Sequence, residues 1–127
     1  MLERLALPQG LPWAFCLGNC DAGEAESLKT TAAALGARAW GEYGLWNLAE
    51  GGSVAFTHFP ALARRLAIGG AHRAVFYGHT HRPAAETIEG PAGPVLLANP
   101  GDVEGRYGRV TGLLWDSRGG MLRWVEA

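Results

Sequence analysis

Four histidines stand out in this 127-residue chain as the side chains best suited to hold an ion or relay a proton. His79 and His81 flank Thr80. On an extended segment, residues two apart point to the same side, so both imidazoles are expected to reach one ion or two adjacent ones. Neutral imidazole suits Zn, Mn, Fe or Ni, and the amide oxygen of Asn19 suits harder ions. His58 follows a separate apolar run and joins the candidate set. His72 sits in a glycine-rich connection and reads as a solvated surface residue. Cys16 reads as core, because free cysteine is among the most buried residue types.

The elements that must position these side chains are short. Pro12 to Leu17, Ser53 to Thr57 and Arg73 to Tyr77 are apolar runs that read as buried strands. They end in Gly18-Asn19-Cys20-Asp21, in His58, and in Gly78-His79-Thr80-His81. In α/β sheets, ligands gather beyond the carboxyl ends of strands. Three strand ends delivering Asn, His and His-x-His therefore predict one convergent site. Gly18 and Gly78 are expected to let the backbone turn sharply there. Glu24 to Leu35 and Pro60 to Ile68 read as helices, stopped by Gly36 and by Gly69-Gly70. Tyr43 to Leu48 is a further strand candidate. Beyond Gly78 the texture changes. Ala85 to Ile88, Val95 to Ala98, Val110 to Trp115 and Met121 to Val125 predict an antiparallel meander.

Composition sets the outer limits. The chain is 48% apolar and 18% charged, which excludes a disordered polymer. A formal net charge of −1 gives no general reason to bind nucleic acid or anionic lipid. No apolar run approaches the roughly 20 residues of a bilayer-spanning helix. The opening residues lack the pattern of an export signal, so the expected location is cytoplasmic, with Cys16 and Cys20 reduced.

The ordered set GNCD (18–21), TH (57–58), YGHTH (77–81) and NPGD (99–102) closely resembles the calcineurin-like metallophosphoesterases, in particular their small bacterial and archaeal phosphodiesterases. The resemblance implies metal-dependent hydrolysis of phosphate mono- or diesters. It implies an α/β fold: a partial four-layer α/β/β/α sandwich, a mixed sheet packed on a more antiparallel one, as a single domain over residues 1–127. It further implies Asn19, His58, His79 and His81 as metal ligands, with the turn bearing Asn99 near the site; Asp21 and Asp102, the latter where many relatives carry Ser, are expected to lend charge from behind. The cofactor would be Mn, Zn, Ni or Fe, dinuclear in the family and a single ion here.

One block of the family pattern has no counterpart. The family opens with strands ending in Asp-x-His and Gly-Asp, which carry most of one metal site and its bridging carboxylate. Only about twelve residues precede the first apolar run, whereas a βαβ unit takes roughly 30. The expectation is therefore a chain without the amino-terminal βαβ portion and of doubtful activity alone. Two ions about 3.5–4 Å apart repel unless a carboxylate offsets them, and the expected ligands here are neutral. The exposed sheet edge then predicts a homodimer, or a partner chain supplying the strands. The phosphate-ester hydrolase is the leading expectation. A non-catalytic protein-interaction scaffold and a mononuclear metal-binding domain on the same fold are the alternatives.

Overall fold

The computed structural model describes residues 11–127. The expectations placed on Met1 to Gly10 lie outside the described residues. Nine strands and two α-helices follow one another, with an alternating βαβ order early and strands alone late.

The largest sheet holds five strands. β3 (Tyr43–Asn47), β4 (Ser53–Thr57), β5 (Ala74–Tyr77), β7 (Gly93–Asn99) and β6 (Ala84–Gly90) lie side by side in that order. The β4–β5–β7 centre is parallel and the β3 and β6 edges are antiparallel. A parallel step needs a crossover, and α2 (Pro60–Gly69) supplies it between β4 and β5. Pro60 suits the first turn of α2, where its missing N–H is not needed.

The pairing register decides what α2 covers. Ala55, Val75 and Leu97 stand opposite one another and share a face. Ala63 and Ala67, one helical turn apart, press onto that face, and Val95 completes the buried core. Methyl side chains on the helix let it sit close. Arg64 on α2 pairs with Glu86 on β6, tying the outer edge to the helix.

Two smaller sheets flank this body. β1 (Ala14–Cys16) pairs in parallel with β2 (Arg38–Trp40), with α1 (Ala25–Ala34) between them. β8 (Thr111–Trp115) and β9 (Leu122–Glu126) form an antiparallel hairpin. Trp115 brings that hairpin onto the second face of the main sheet, its ring 6.0 Å from that of Phe76. The architecture is thus α/β, a mixed sheet with helices and an antiparallel hairpin packed on it, consistent with a partial metallophosphoesterase sandwich.

Two expectations need correcting, and one strand was not foreseen. The late strands are not one meander: β7 inserts beside β5, and β8–β9 pair only with each other. β1 is half-buried along its length rather than covered on both sides, because it lies in a two-stranded sheet. Arg38–Trp40 forms a strand that its short apolar content did not announce. Among the described residues no helix is long and apolar enough to cross a membrane.

Candidate functional site

Because β4, β5 and β7 are parallel, their carboxyl ends lie at one end of the sheet. His58 leaves β4 there, Gly78-His79 leaves β5, and Asn99 closes β7. The turn after β1 adds Asn19. His58 Nε2 is 2.7 Å from Asn19 Oδ1 and 3.0 Å from His79 Nδ1. The two rings meet edge to face, centroids 5.0 Å apart. An amide oxygen only accepts, so His58 Nε2 carries the proton, and the same N–H faces the lone pair of His79 Nδ1. Burial first, then His79 and to a smaller extent His81, hold the His58 imidazole below its ordinary value of 6.5, against an opposing pull from Asp21. The three expected residues Asn19, His58 and His79 are thus in direct contact.

His81 goes elsewhere. Its Nδ1 lies 3.1 Å from Asp102 Oδ2. His79 and His81 both adopt a left-handed backbone, with φ of 72° and 59°, so the extended geometry that would align their rings is lost. Neither Gly18 nor Gly78 has the positive φ that the sharp turn was expected to need; the histidines themselves carry it. Gly18 is favoured for a different reason. A Cβ there would crowd the His58 ring at 3.1–3.2 Å. The same test at Gly78 meets His58 only at an ordinary 3.6 Å.

Asn99 secures the strained loop. It is fully buried. Its Nδ2 donates to the Gly78 carbonyl at 3.2 Å and to Thr80 Oγ1 at 2.8 Å. Its Oδ1 accepts from the Gly101 N–H at 2.9 Å. Two hydroxyls that the sequence reading passed over also hold the histidines. Thr57 Oγ1 donates to the Glu42 carbonyl at 2.6 Å and accepts from the Phe59 N–H at 3.2 Å, which pins His58 from both sides. Thr80 Oγ1 faces the Arg82 N–H at 3.4 Å as well as Asn99. Their signal was in plain view: each is a threonine adjacent to a site histidine, able to bond the backbone locally. His72, expected in solvent, is half-buried with Nδ1 2.9 Å from Ser53 Oγ. Cys16, expected in the core, is likewise only half-buried, and burial pushes its thiol up.

The expected cofactor, a Mn, Zn, Ni or Fe ion, is not supported by this arrangement. Among the described residues no group of three or more His, Cys, Asp or Glu side chains is placed to hold a metal ion. Two imidazoles and one amide oxygen meet, all neutral, and His81 is turned away. The carboxylates expected to lend charge are engaged with backbone. Asp21 Oδ2 accepts the Gly18 N–H at 2.6 Å. Asp102 accepts the N–H groups of Glu104 and Arg106, each at 2.9 Å. Burial would raise the Asp102 carboxyl, but those two N–H groups and His81 outweigh it and hold it below its ordinary 3.8.

Residues 2–117 match the family model of the calcineurin-like phosphoesterase superfamily domain. No curated protein matches the chain. Among solved structures, one described as a novel archaeal phosphodiesterase superimposes with a TM-score of 0.68 at 21% identity. The match covers 90% of this chain and 68% of that one. At that identity the likeness establishes a shared fold.

Proposed function

The chain belongs to the calcineurin-like phosphoesterase superfamily, and on that premise we propose that it recognises phosphate esters while hydrolysing them poorly by itself. The observation that carries this reading is the contact of Asn19, His58 and His79 at the strand ends, with no group of three or more metal-holding side chains among the described residues. The Asp21 carboxylate beside the crevice is engaged by the Gly18 N–H, which blunts its repulsion of an anionic ester. His79, whose Nδ1 lone pair faces His58, carries its own N–H on Nε2 and donates it to a non-bridging oxygen. Turnover lacks what carboxylates would have contributed to charge balance and to the activation of water.

Bis(p-nitrophenyl) phosphate tests both halves with the purified 127-residue chain. Saturable broadening of its ³¹P signal, weakened in His79→Ala, is expected, with p-nitrophenol release near the buffer background. Absence of binding would remove the reading. Robust release that disappears in His79→Ala would show that the charge argument underrates the chain.

A second reading, an interaction scaffold on the same fold, is favoured by one observation. Trp13, Trp46, Val54, Phe56 and Phe76 line an open, mostly apolar groove on the face of the main sheet opposite α2. A homodimer that covers this groove is the form this reading takes. Light scattering at micromolar concentration separates the two. A clean monomer near 13.5 kDa would leave the scaffold without its partner.

A further inference from the structure

The four histidines differ in what meets their ring nitrogens. His58 and His79 face each other. His72 faces the neutral hydroxyl of Ser53. Of these contacts, His81 alone has a carboxylate on Nδ1. That carboxylate is unusually well fixed. Asp102 is 7% exposed. Its Oδ1 accepts from Glu104, its Oδ2 from Arg106. Its own N–H donates to Thr111 Oγ1 and its carbonyl accepts from the Thr111 N–H, both at 3.1 Å. Thr111 is itself buried. Even the glycine before it is obligatory: Gly101 sits at φ 92°, where a Cβ would overlap Thr111 Oγ1.

A carboxylate held this way dictates the tautomer of its partner. The proton sits on His81 Nδ1, and the lone pair is on Nε2, across the ring from Asp102. The Tyr107 ring stands over the imidazole edge to face, centroids 5.4 Å apart, while the His81 side chain keeps 32% of its surface exposed. The ring is oriented and reachable together. This is the arrangement of an activated nucleophile, in which a third group aims the imidazole and stabilises the charge it acquires.

We propose that His81 is a phosphoryl-accepting histidine, taking a phosphoryl group at Nε2 from a small donor of the phosphoramidate class. The Nε2 lone pair forms the N–P bond as the donor P–N bond breaks. The bonding pair leaves with the donor nitrogen, already protonated near neutral pH, which departs as ammonia. Nothing is oxidised or reduced. The ring becomes cationic and Asp102 is in place to balance it. This inference rests on the His81–Asp102 pair and stands apart from the Asn19–His58–His79 contact.

The test incubates the full chain with potassium phosphoramidate, follows the ³¹P spectrum, and maps the label by peptide fragmentation. One phosphoryl group on His81 Nε2 is expected before any on His58, His72 or His79. The preference disappears when the same reaction is run in denaturing urea. Asp102→Asn slows labelling at least about tenfold, and Asp102→Glu restores part of the rate. No label on the folded chain, label spread evenly over the four histidines, or label appearing first at another would overturn the proposal. So would a folded Asp102→Asn variant labelled at the wild-type rate. The within-chain ranking is read on the unmutated protein, so it decides the matter even where Asp102→Asn fails to fold.

Discussion

The two halves that meet at the candidate site are built to different standards. On one side, β4, α2, β5 and β7 bury Ala55, Ala63, Ala67, Val75, Val95 and Leu97 in one cluster. On the other, α1 buries Ala32, ends at a cap residue, Leu35, that is 45% exposed, and sits against three-residue strands. The thin unit joins the thick one through few contacts. Trp40 fits beside Gly44, where any Cβ would strike it and Phe56. The Trp40 Nε1–H is buried at this seam with no partner among the described residues. His58 and His79 are therefore fixed by a packed core, whereas Asn19 hangs on the weaker unit. A site can converge geometrically and still have one rigid wall and one loose wall.

The contrast is broken most directly in the core. Leu97→Ala is expected to cost about 2–5 kcal/mol, and Leu35→Ala at the exposed carboxyl-terminal cap of α1 at most about 0.5 kcal/mol. Urea denaturation compares the two, and equal losses would end the distinction. Next in size is Asn99→Ala. It strips the half-buried Gly78 carbonyl of its side-chain donor, at about 1–3 kcal/mol, and releases the loop bearing His79 and His81. Shifts of both histidine Cε1–H resonances, with those of His72 unmoved, are the expected signature.

Acid sharpens the comparison further, in two windows: His58 and His72 are both held low in the first, Asp102 and Glu50 in the second. His58 titrates below 6.5 in the folded chain, so the unfolded chain binds the proton first. Its contribution is complete above 6.5 and is lost as pH falls through the folded value. Asp102 is also held low, so its contribution is complete above 3.8 and is lost only on stronger acidification. Urea midpoints should therefore fall in two steps, first with loosening at His58 and later at the 101–111 loop. A midpoint flat from pH 7 to 5 would contradict the first step. Asn19→Ala has a smaller effect than Asn99→Ala. It removes the exposed bond to His58 and a long one to Cys20 Sγ, about 0.5–1.5 kcal/mol at most. Amide exchange in β4 and β5 should be unchanged while β1 exchanges faster.

Much of this was legible in the sequence, and the reasons for the rest are physical. The apolar runs ending at Thr57 and Tyr77 named β4 and β5, and the motif set named the superfamily. Convergence of Asn19, His58 and His79 followed from placing three strand ends together. The departure of His81 did not, because spacing two apart implies a shared side only on extended backbone, and His79 and His81 are left-handed. The turn chemistry of Thr57, Thr80 and Asn99 depends on which backbone groups come near, which no local pattern reports. The pairing of β7 with β5 is a long-range choice across a hairpin, invisible to alternation within either strand. The metal expectation failed for a related reason: carboxylates close in sequence to the site, Asp21 and Asp102, were consumed by backbone N–H groups.

The central claim is that the Asn19–His58–His79 wall is neutral and holds no divalent ion by itself. Calorimetric titration of the 127-residue chain with Mn²⁺ and with Zn²⁺ at neutral pH tests it most directly. The account predicts no saturable uptake, and the same trace from His79→Ala. A tight one-to-one site in the unmutated chain that vanishes in His79→Ala would contradict it.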